Sequence, residues 1–443
     1  MPNASAFSGY ISDATRKFAP FAAVFSHRPD AENKALSLYP DVRCQTIRGF
    51  GGAFTESAAH VYVSLSEEKR REAMERLFSP EFAGLKLGRV HIGSCDFCLD
   101  SYAYTAPGDR KMKTFSIAHD EKKIIPMIRD AMAFCPELEL VASPWSPPAW
   151  MKDNASVLEG GRLSPDWVKE WGEYVAHYLL AMRGAGMPIT ILTVQNEPLA
   201  TQTWESCRYD AEDEAVVIRD ALLPALERHG LTDVKLFIWD HNKERVYDRA
   251  RDAFKVGNTR QVVDGVAFHW YSGSHFDGLQ AVHECFPEKE LLETEFCTDI
   301  DQHPPEDFDA ALLYAEDIAG NLRHWTNGII DWNLMLDMQG GPYHDREGGC
   351  LAPVLVDGDD YRLTGAYWGL CHFSHVIRPG AVRIGASVYD ERISCAAAVN
   401  PDGSIGCTMA NLHDREMPLT IRVEKEAVDI ILPARSLTSV LIK

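Results

Sequence analysis

The sequence predicts an α/β protein: a (β/α)8 barrel, that is a TIM barrel, with an attached antiparallel β-sandwich domain. Three observations carry that prediction. Eight short apolar runs recur along the chain, each followed by a longer stretch with helical spacing, the order of parallel strands joined by crossover helices. From about residue 380 the pattern changes to short strands separated by turns. The length of 443 residues suits a barrel of about 250 residues or more together with a smaller unit.

The eight runs are QTIRGFGGAF (45–54), GLKLGRVHIG (84–93), LELVASPW (138–145), ITILTVQN (189–196), VKLFIWD (234–240), GVAFHWY (265–271), ELLETEF (290–296) and GIIDWNLML (328–336). Helical signals lie between them. Ser66 followed by Glu67 and Glu68 reads as a helix start, with acidic side chains at the positive end of the dipole. Ser164 with Pro165 reads as another, closing near Gly184. Stretches 211–229, followed by Gly230, and 307–325 complete the alternation. The Gly-rich Arg48–Gly52 segment lacks the Lys and spacing of a phosphate loop, and reads as a tight strand-end turn. Past 380, Asn400-Pro401-Asp402-Gly403 is a hairpin turn signal. FAAVF and ALSLY near the N-terminus are strand-like. The expected organisation is therefore N-terminal strands at 1–44 that join the β-domain, a catalytic barrel at 45–378 and a β-sandwich at 379–443. A doubly wound open sheet is disfavoured, because no GxGxxG follows the first strand.

Composition removes several function classes. Apolar content of 46% fits a globular chain with a full core, and 44 basic against 65 acidic residues give a net charge of -21. That balance argues against nucleic acid and anionic membranes as partners. No run of 18 apolar residues predicts an integral membrane segment. The opening MPNASAFSGYISDATRK lacks a basic segment followed by an apolar one. The expectation is a cytoplasmic protein, or one exported without a cleavable signal peptide. Eleven scattered cysteines read as reduced thiols, including the isolated Cys95/Cys98 pair. Without HExxH or a comparable ligand set, neither a metal nor a cofactor is expected.

In a barrel the chemistry sits where the strands end at their C-terminal side. The fourth run ends in Gln195-Asn196-Glu197-Pro198 and the seventh in Glu293-Thr294-Glu295. Carboxylates at two strand ends, three βα units apart, are what glycoside hydrolysis requires: one to protonate the leaving oxygen, one to attack the anomeric carbon. Asn196 beside Glu197 suits a hydrogen bond to a sugar hydroxyl, which makes Glu197 the acid/base. Period-two alternation puts Glu293 and Glu295 on one face of the strand, so either qualifies as nucleophile on that ground. Glu295 lies nearer the mouth and is preferred; Glu293 is then expected deeper, where it would tune its neighbour. Asp96, Trp145, His269, Tyr271, Trp332 and Asn333 also stand at strand ends, with groups suited to sugar hydroxyls and to the apolar face of a pyranose. The Pro-rich stretch from Pro144 to Trp150 reads as a shaped loop over the site.

With these residues assembled, the chain resembles glycoside hydrolase family 30, most closely its glucosylceramidase-type members. GFGGAFTE (49–56), SCDF (94–97), ASPWSPPAWMK (142–152), TVQNEP (193–198), FHWY (268–271), ETEFC (293–297), DWNLMLDMQGGP (331–342) and NPDG (400–403) carry the resemblance from about residue 45 to the end. It implies the barrel and sandwich, retention of anomeric configuration, Glu197 as acid/base and Glu295 as nucleophile. It also implies a sugar subsite lined by Asp96, Trp145, Asn196, His269, Tyr271 and Trp332. The implied substrate is a β-glucoside or glycolipid such as glucosylceramide, with β-1,6-glucan or a β-xyloside as alternatives; a catalytically silent carbohydrate-binding barrel is the alternative of another class. Two departures stand out: Glu293 adds a charge near the nucleophile, and Tyr343-His344 follow Gly341-Pro342 where the family pattern has Asn.

Overall fold

The computed structural model describes residues 6–443. Eight parallel strands close into a barrel: β1 (Gly49–Ala53), β2 (Leu87–Ile92), β3 (Glu139–Pro144), β4 (Ile189–Thr193), β5 (Lys235–Asn242), β6 (Gly265–His269), β7 (Glu290–Glu295) and β8 (Thr326–Asp331). Neighbours in sequence are neighbours in the barrel, and β8 pairs with β1 to complete it. Each strand falls within, or overlaps, one of the eight apolar runs. The barrel interior is filled by Leu87, Val141, Ile191, Phe237, Ala267, Leu292 and Ile330, one from each strand except β1. β1 contributes glycine instead: a Cβ on Gly51 would stand 1.9 Å from the Leu87 carbonyl oxygen. The Arg48–Gly52 segment is thus not a strand-end turn but leads into the first strand itself, its glycines demanded by close packing.

The helices follow their local chemistry. Glu67–Phe78 starts at Ser66, whose hydroxyl accepts from the Lys69 N–H. The 211–228 stretch opens on an Asp210/Asp213 capping box and widens into a π-turn at Ile218–Leu222, next to Pro224, which has no N–H for the helical ladder. Ser164 makes no side-chain cap; a 3-10 turn, Pro165–Trp167, comes before the helix Val168–Gly184.

The second unit is a sandwich that is antiparallel except where Met417–Val423 pairs parallel with Ala35–Thr46. Strands Val382–Val388, Ile393–Val399, Ile405–Asn411, Met417–Val423, Glu426–Leu432 and Ser436–Ile442 build it with N-terminal strands Ala6–Ser12, Ala19–Val24 and Ala35–Thr46. Ala6–Ser12 pairs with Ser436–Ile442, so the two ends of the chain share one sheet. Its own core contains Phe7, Leu36, Leu38, Ile384, Met409, Leu419, Ile421 and Val440. Helices Asp309–Arg323 and Gly365–Ser374 pack against each other and against both units. A Cβ on Gly369 would come within 2.5 Å of Tyr314, so glycine sets that approach. At this seam the buried His372 ring bonds Ser12 at 2.7 Å and Ser439 at 2.8 Å, tying helix to sandwich. No helix among the described residues is long and apolar enough to cross a membrane.

Candidate active site

The C-terminal rim of the barrel surrounds a cavity of about 270 Å³ lined by Asp96, Trp145, Asn196, Glu197, Trp204, Tyr271, Glu295, Trp332 and Arg346, among others. Larger grooves occur elsewhere, such as one of about 1150 Å³ between Lys169 and Arg228. Its walls are exposed and half-buried charged ends of helices, without the buried convergent groups of a binding site.

Glu295 ends β7 and is 7% exposed. Arg89 NH1 donates to its Oε2 at 2.5 Å, and the Tyr271 hydroxyl donates to its Oε1 at 3.0 Å. Arg89 is wholly buried on β2 and serves three other groups: Ser143 Oγ (3.1 Å), Asn196 Oδ1 (2.8 Å) and Asp240 Oδ2 (2.9 Å). The guanidinium fork therefore fixes one end each of β3, β5 and β7 and the turn after β4. Because Asn196 gives its oxygen to Arg89, its amide N–H groups are left for a sugar hydroxyl.

Glu197 sits past the end of β4 on the opposite wall. His269 Nδ1 lies 3.1 Å from its Oε1, and His241 Nδ1 lies 3.5 Å from the same atom. The other nitrogen of His269 bonds Asp240 at 3.1 Å and stands 3.9 Å from Glu295 Oε2. One imidazole thus spans from one carboxylate to the other. Burial opposes charge on His269, but the Glu295 charge and the hydrogen bonds to Asp240 and Glu197 outweigh it and lift the ring to about 9. Burial likewise opposes charge on Glu197, but the close imidazoles of His241 and His269 hold it well below the ordinary carboxylate range. Asp240 is drawn down too, burial being outweighed by Arg89 and by its bonds to His269 and Thr193.

The backbone at this rim is strained. Glu197 (φ 44°), Trp239 (φ 76°), Asp240 (φ 53°) and Asn333 (φ 60°) all occupy the left-handed region, past the ends of β4 and β8 and in the C-terminal half of β5. Each such residue costs of order 1–3 kcal/mol and persists only where the surroundings over-determine it, a pattern that clusters at functional sites. The hydrogen bond from Glu197 N–H to the Asp240 carbonyl, 2.9 Å, is one such constraint.

Trp145 and Trp332 stack with ring centres 5.2 Å apart, and the Arg89 guanidinium lies 4.7 Å from the Trp145 ring and 5.5 Å from the Trp332 ring. Asp96 stands on the far wall, bonded to Arg346 NH1 at 2.7 Å. Burial pushes its carboxyl up to about 7, with Arg346 pulling it back. Of the strand-end residues read from the sequence, Asp96, Trp145, Asn196, Glu197, Tyr271, Glu295 and Trp332 line the cavity, and His269 lies directly beneath. Asn333 faces away, with its oxygen accepting from the Thr55 hydroxyl.

Two family models match this chain. Residues 47–377 match the glycosyl hydrolase family 30 TIM-barrel domain and residues 380–440 the glycosyl hydrolase family 30 beta sandwich domain. The chain belongs to glycoside hydrolase family 30. It is 29% identical to putative glucosylceramidase 3 of Caenorhabditis elegans over 437 residues, 94% of this chain and 83% of that one. Among solved structures, SrfJ from Salmonella typhimurium superposes with a TM-score of 0.95 at 34% identity, covering 98% of this chain and 99% of SrfJ. The endo-beta1,6-glucanase BT3312 superposes with a TM-score of 0.90 at 27% identity, over 98% and 99% of the two chains.

The family-30 hydrolase departs from its sequence reading at Glu293. Glu293 does not share the cavity face with Glu295. It points outward to the helix Asp309–Arg323, accepting from Asn321 Nδ2 at 2.8 Å with Lys243 Nζ 3.7 Å away. Leu292 and Thr294 are the residues that point into the barrel, and the strand pairing shifts register between Glu293 and Glu295, which turns Glu295 toward the mouth. Sequence reasoning also passed over Arg89, Asp240, His241 and Arg346. Arg89 was detectable as the lone charge inside the apolar run LGRVHI, and Asp240 as the polar end of LFIWD. Arg346 lies in an irregular loop and carried no local signal.

Proposed function

We propose that this hydrolase cleaves β-glucosidic bonds with retention of anomeric configuration, Glu295 attacking and Glu197 serving first as acid and then as base. The observation that carries the reading is the pair of facing carboxylates with unlike partners. Glu295 is held by a fixed guanidinium and a tyrosine hydroxyl, the setting of a positioned anionic nucleophile. Glu197 is held by two imidazoles, the setting of a group that exchanges a proton. In the open cavity that proton rests on His269, 3.1 Å from Glu197. A bound sugar expels water from the rim, penalises the carboxylate and moves the proton to Glu197. Protonation of the glycosidic oxygen and attack by Glu295 then give a glycosyl-enzyme; Glu197 next takes a proton from the incoming water. Asn196, Asp96 and the Trp145–Trp332 stack are suited to bind the sugar hydroxyls and its apolar face.

Glucosylceramide is the preferred natural substrate, supported by the likeness to glucosylceramidase-named relatives. Hydrolysis of β-1,6-glucan is the second reading, supported by the likeness to an endo-β-1,6-glucanase. The test follows the first-formed sugar by proton NMR during hydrolysis of para-nitrophenyl β-glucoside, with fluorescent glucosylceramide and β-1,6-glucan assayed in parallel. The β-anomer should appear first; the α-anomer appearing first would overturn retention. Turnover of the glucan and not of the glycolipid would replace the preferred substrate.

A further inference from the structure

The wall of the cavity away from Glu197 is built from the loops after β2 and β8, tied by charge to the far part of the loop after β4. The leaving group must lie beside Glu197, so this wall, made by the loops after β2 and β8, faces the far end of the bound sugar. His344 is the knot. Its N–H donates to the Asp96 carbonyl (2.9 Å), its Nδ1 bonds the Cys98 carbonyl (3.0 Å), and its Nε2 bonds Glu205 (3.1 Å). Glu205, 2% exposed on the loop after β4, also accepts from the Ser101 hydroxyl at 2.7 Å. The Thr203 hydroxyl donates to the Asp345 carbonyl from the same side. Two residues past the knot, Arg346 reaches back to Asp96, with its guanidinium 4.8 Å from the Phe97 ring and 5.6 Å from the Trp204 ring. Arg346 Nε is buried in that wall without a hydrogen-bond partner among the described residues.

We infer that the segment Tyr343–Arg346 is a strap that closes the far end of the sugar site, so that the enzyme removes single terminal sugars and does not cut within a chain. Arg346 is the specificity-determining residue: paired with Asp96, it lines the cavity where a preceding sugar unit would otherwise pass. His344 is a positioning residue that holds Arg346 in place through Glu205. The size of the cavity agrees: about 270 Å³ falls just below the range of typical ligand sites, about 300 to 1,000 Å³.

The inference rests on the proposed β-glucosidase reading, and the experiment separates the two. Para-nitrophenyl β-glucoside and para-nitrophenyl β-gentiobioside are hydrolysed side by side, and the sugar released from the second is identified as glucose or intact disaccharide. Wild type should cleave the monosaccharide and release essentially no intact disaccharide. Arg346→Ala and His344→Ala should raise the ratio of disaccharide to monosaccharide kcat/KM by at least roughly tenfold, equal to about 1.4 kcal/mol of transition-state discrimination. Arg346→Lys, which keeps a cation beside Asp96, guards against a variant that merely fails to fold and should give an intermediate ratio. A general loss of structure would lower both rates and leave the ratio alone. Efficient release of intact disaccharide by wild type, or an unchanged ratio in all three folded variants, would overturn the strap. Hydrolysis of neither compound by wild type would remove the β-glucosidase reading itself, and the strap with it.

Discussion

Glu293 and Glu295 stand two residues apart on one strand and live in different chemical worlds. Glu295 opens on the cavity, paired with Arg89 and Tyr271. Glu293 is sealed between the strand and the helix Asp309–Arg323, where burial first and the nearby Asp317 second push its carboxyl well above the ordinary range, against the pull of Lys243. The first has a fixed cation in direct contact and a route to substrate. The second has neither: Lys243 gives its closest contact to Asp317, and burial favours the neutral form of Glu293. Burial alone therefore does not mark a functional carboxylate. What separates the two is which face of the strand they leave from and whether the group across from them is a site or a helix.

The sharpest way to break this comparison is to neutralise Glu295. Glu295→Gln keeps the shape and removes the oxygen proposed to attack, so kcat should fall by roughly 10³- to 10⁶-fold with the thermal midpoint little changed. Activity within tenfold of wild type, measured on para-nitrophenyl β-glucoside, would show that the cavity carboxylate is not the nucleophile. Lys243→Met asks the reverse question. Asp317 and Glu293 would lose their buried cation, and removing one partner of such a cluster costs about 3–5 kcal/mol. Denaturant unfolding should show that loss, while the folded fraction should keep kcat near wild type. A drop in kcat instead of stability would mean that the two clusters communicate.

Arg89→Lys probes the mouth more gently. A lysine keeps the charge but has no planar fork to serve Glu295, Asn196 and Asp240 together. Misplacing a reacting group by about 1 Å can cost about 10²-fold, and a fall of that order in kcat is expected. A variant with unchanged kcat would mean that Arg89 supplies charge and not geometry.

Which parts of this were legible in the sequence follows from what local patterns encode. The eight strands were visible because a parallel barrel strand buries both faces and so reads as a short continuous apolar run; β4 and β7 are plain examples. Glu197 and Glu295 were visible because a charged residue ending such a run has to lie at the rim. The face of Glu293 was not, since strict alternation misses the register shift on β7 that turns Glu295 inward. The contacts of Arg346 and His344 were invisible for another reason. Their partners Asp96 and Glu205 lie in loops more than a hundred residues away, and only the closed barrel brings those loops together.

The finest test of the comparison is Glu293→Gln. A protonated carboxyl and an amide are nearly the same size, and both are neutral. If Glu293 does carry its proton, the exchange should change stability by no more than about 1 kcal/mol near pH 5 and leave kcat unaltered. The pH dependence carries the sharper information. The folded-state value of Glu293 lies above the ordinary 4.5, so its contribution to stability is fully present below 4.5 and is lost as pH rises through the raised value. The amide does not titrate. The thermal midpoint of Glu293→Gln should therefore gain on wild type as pH is raised from 4.5, and the gain should level off once the raised value is passed. A difference that is flat with pH, or that runs the other way, would mean that Glu293 is ionised in the folded protein. The contrast with Glu295 would then reduce to their partners alone, Lys243 and Asp317 on one side of the strand and Arg89 and Tyr271 on the other.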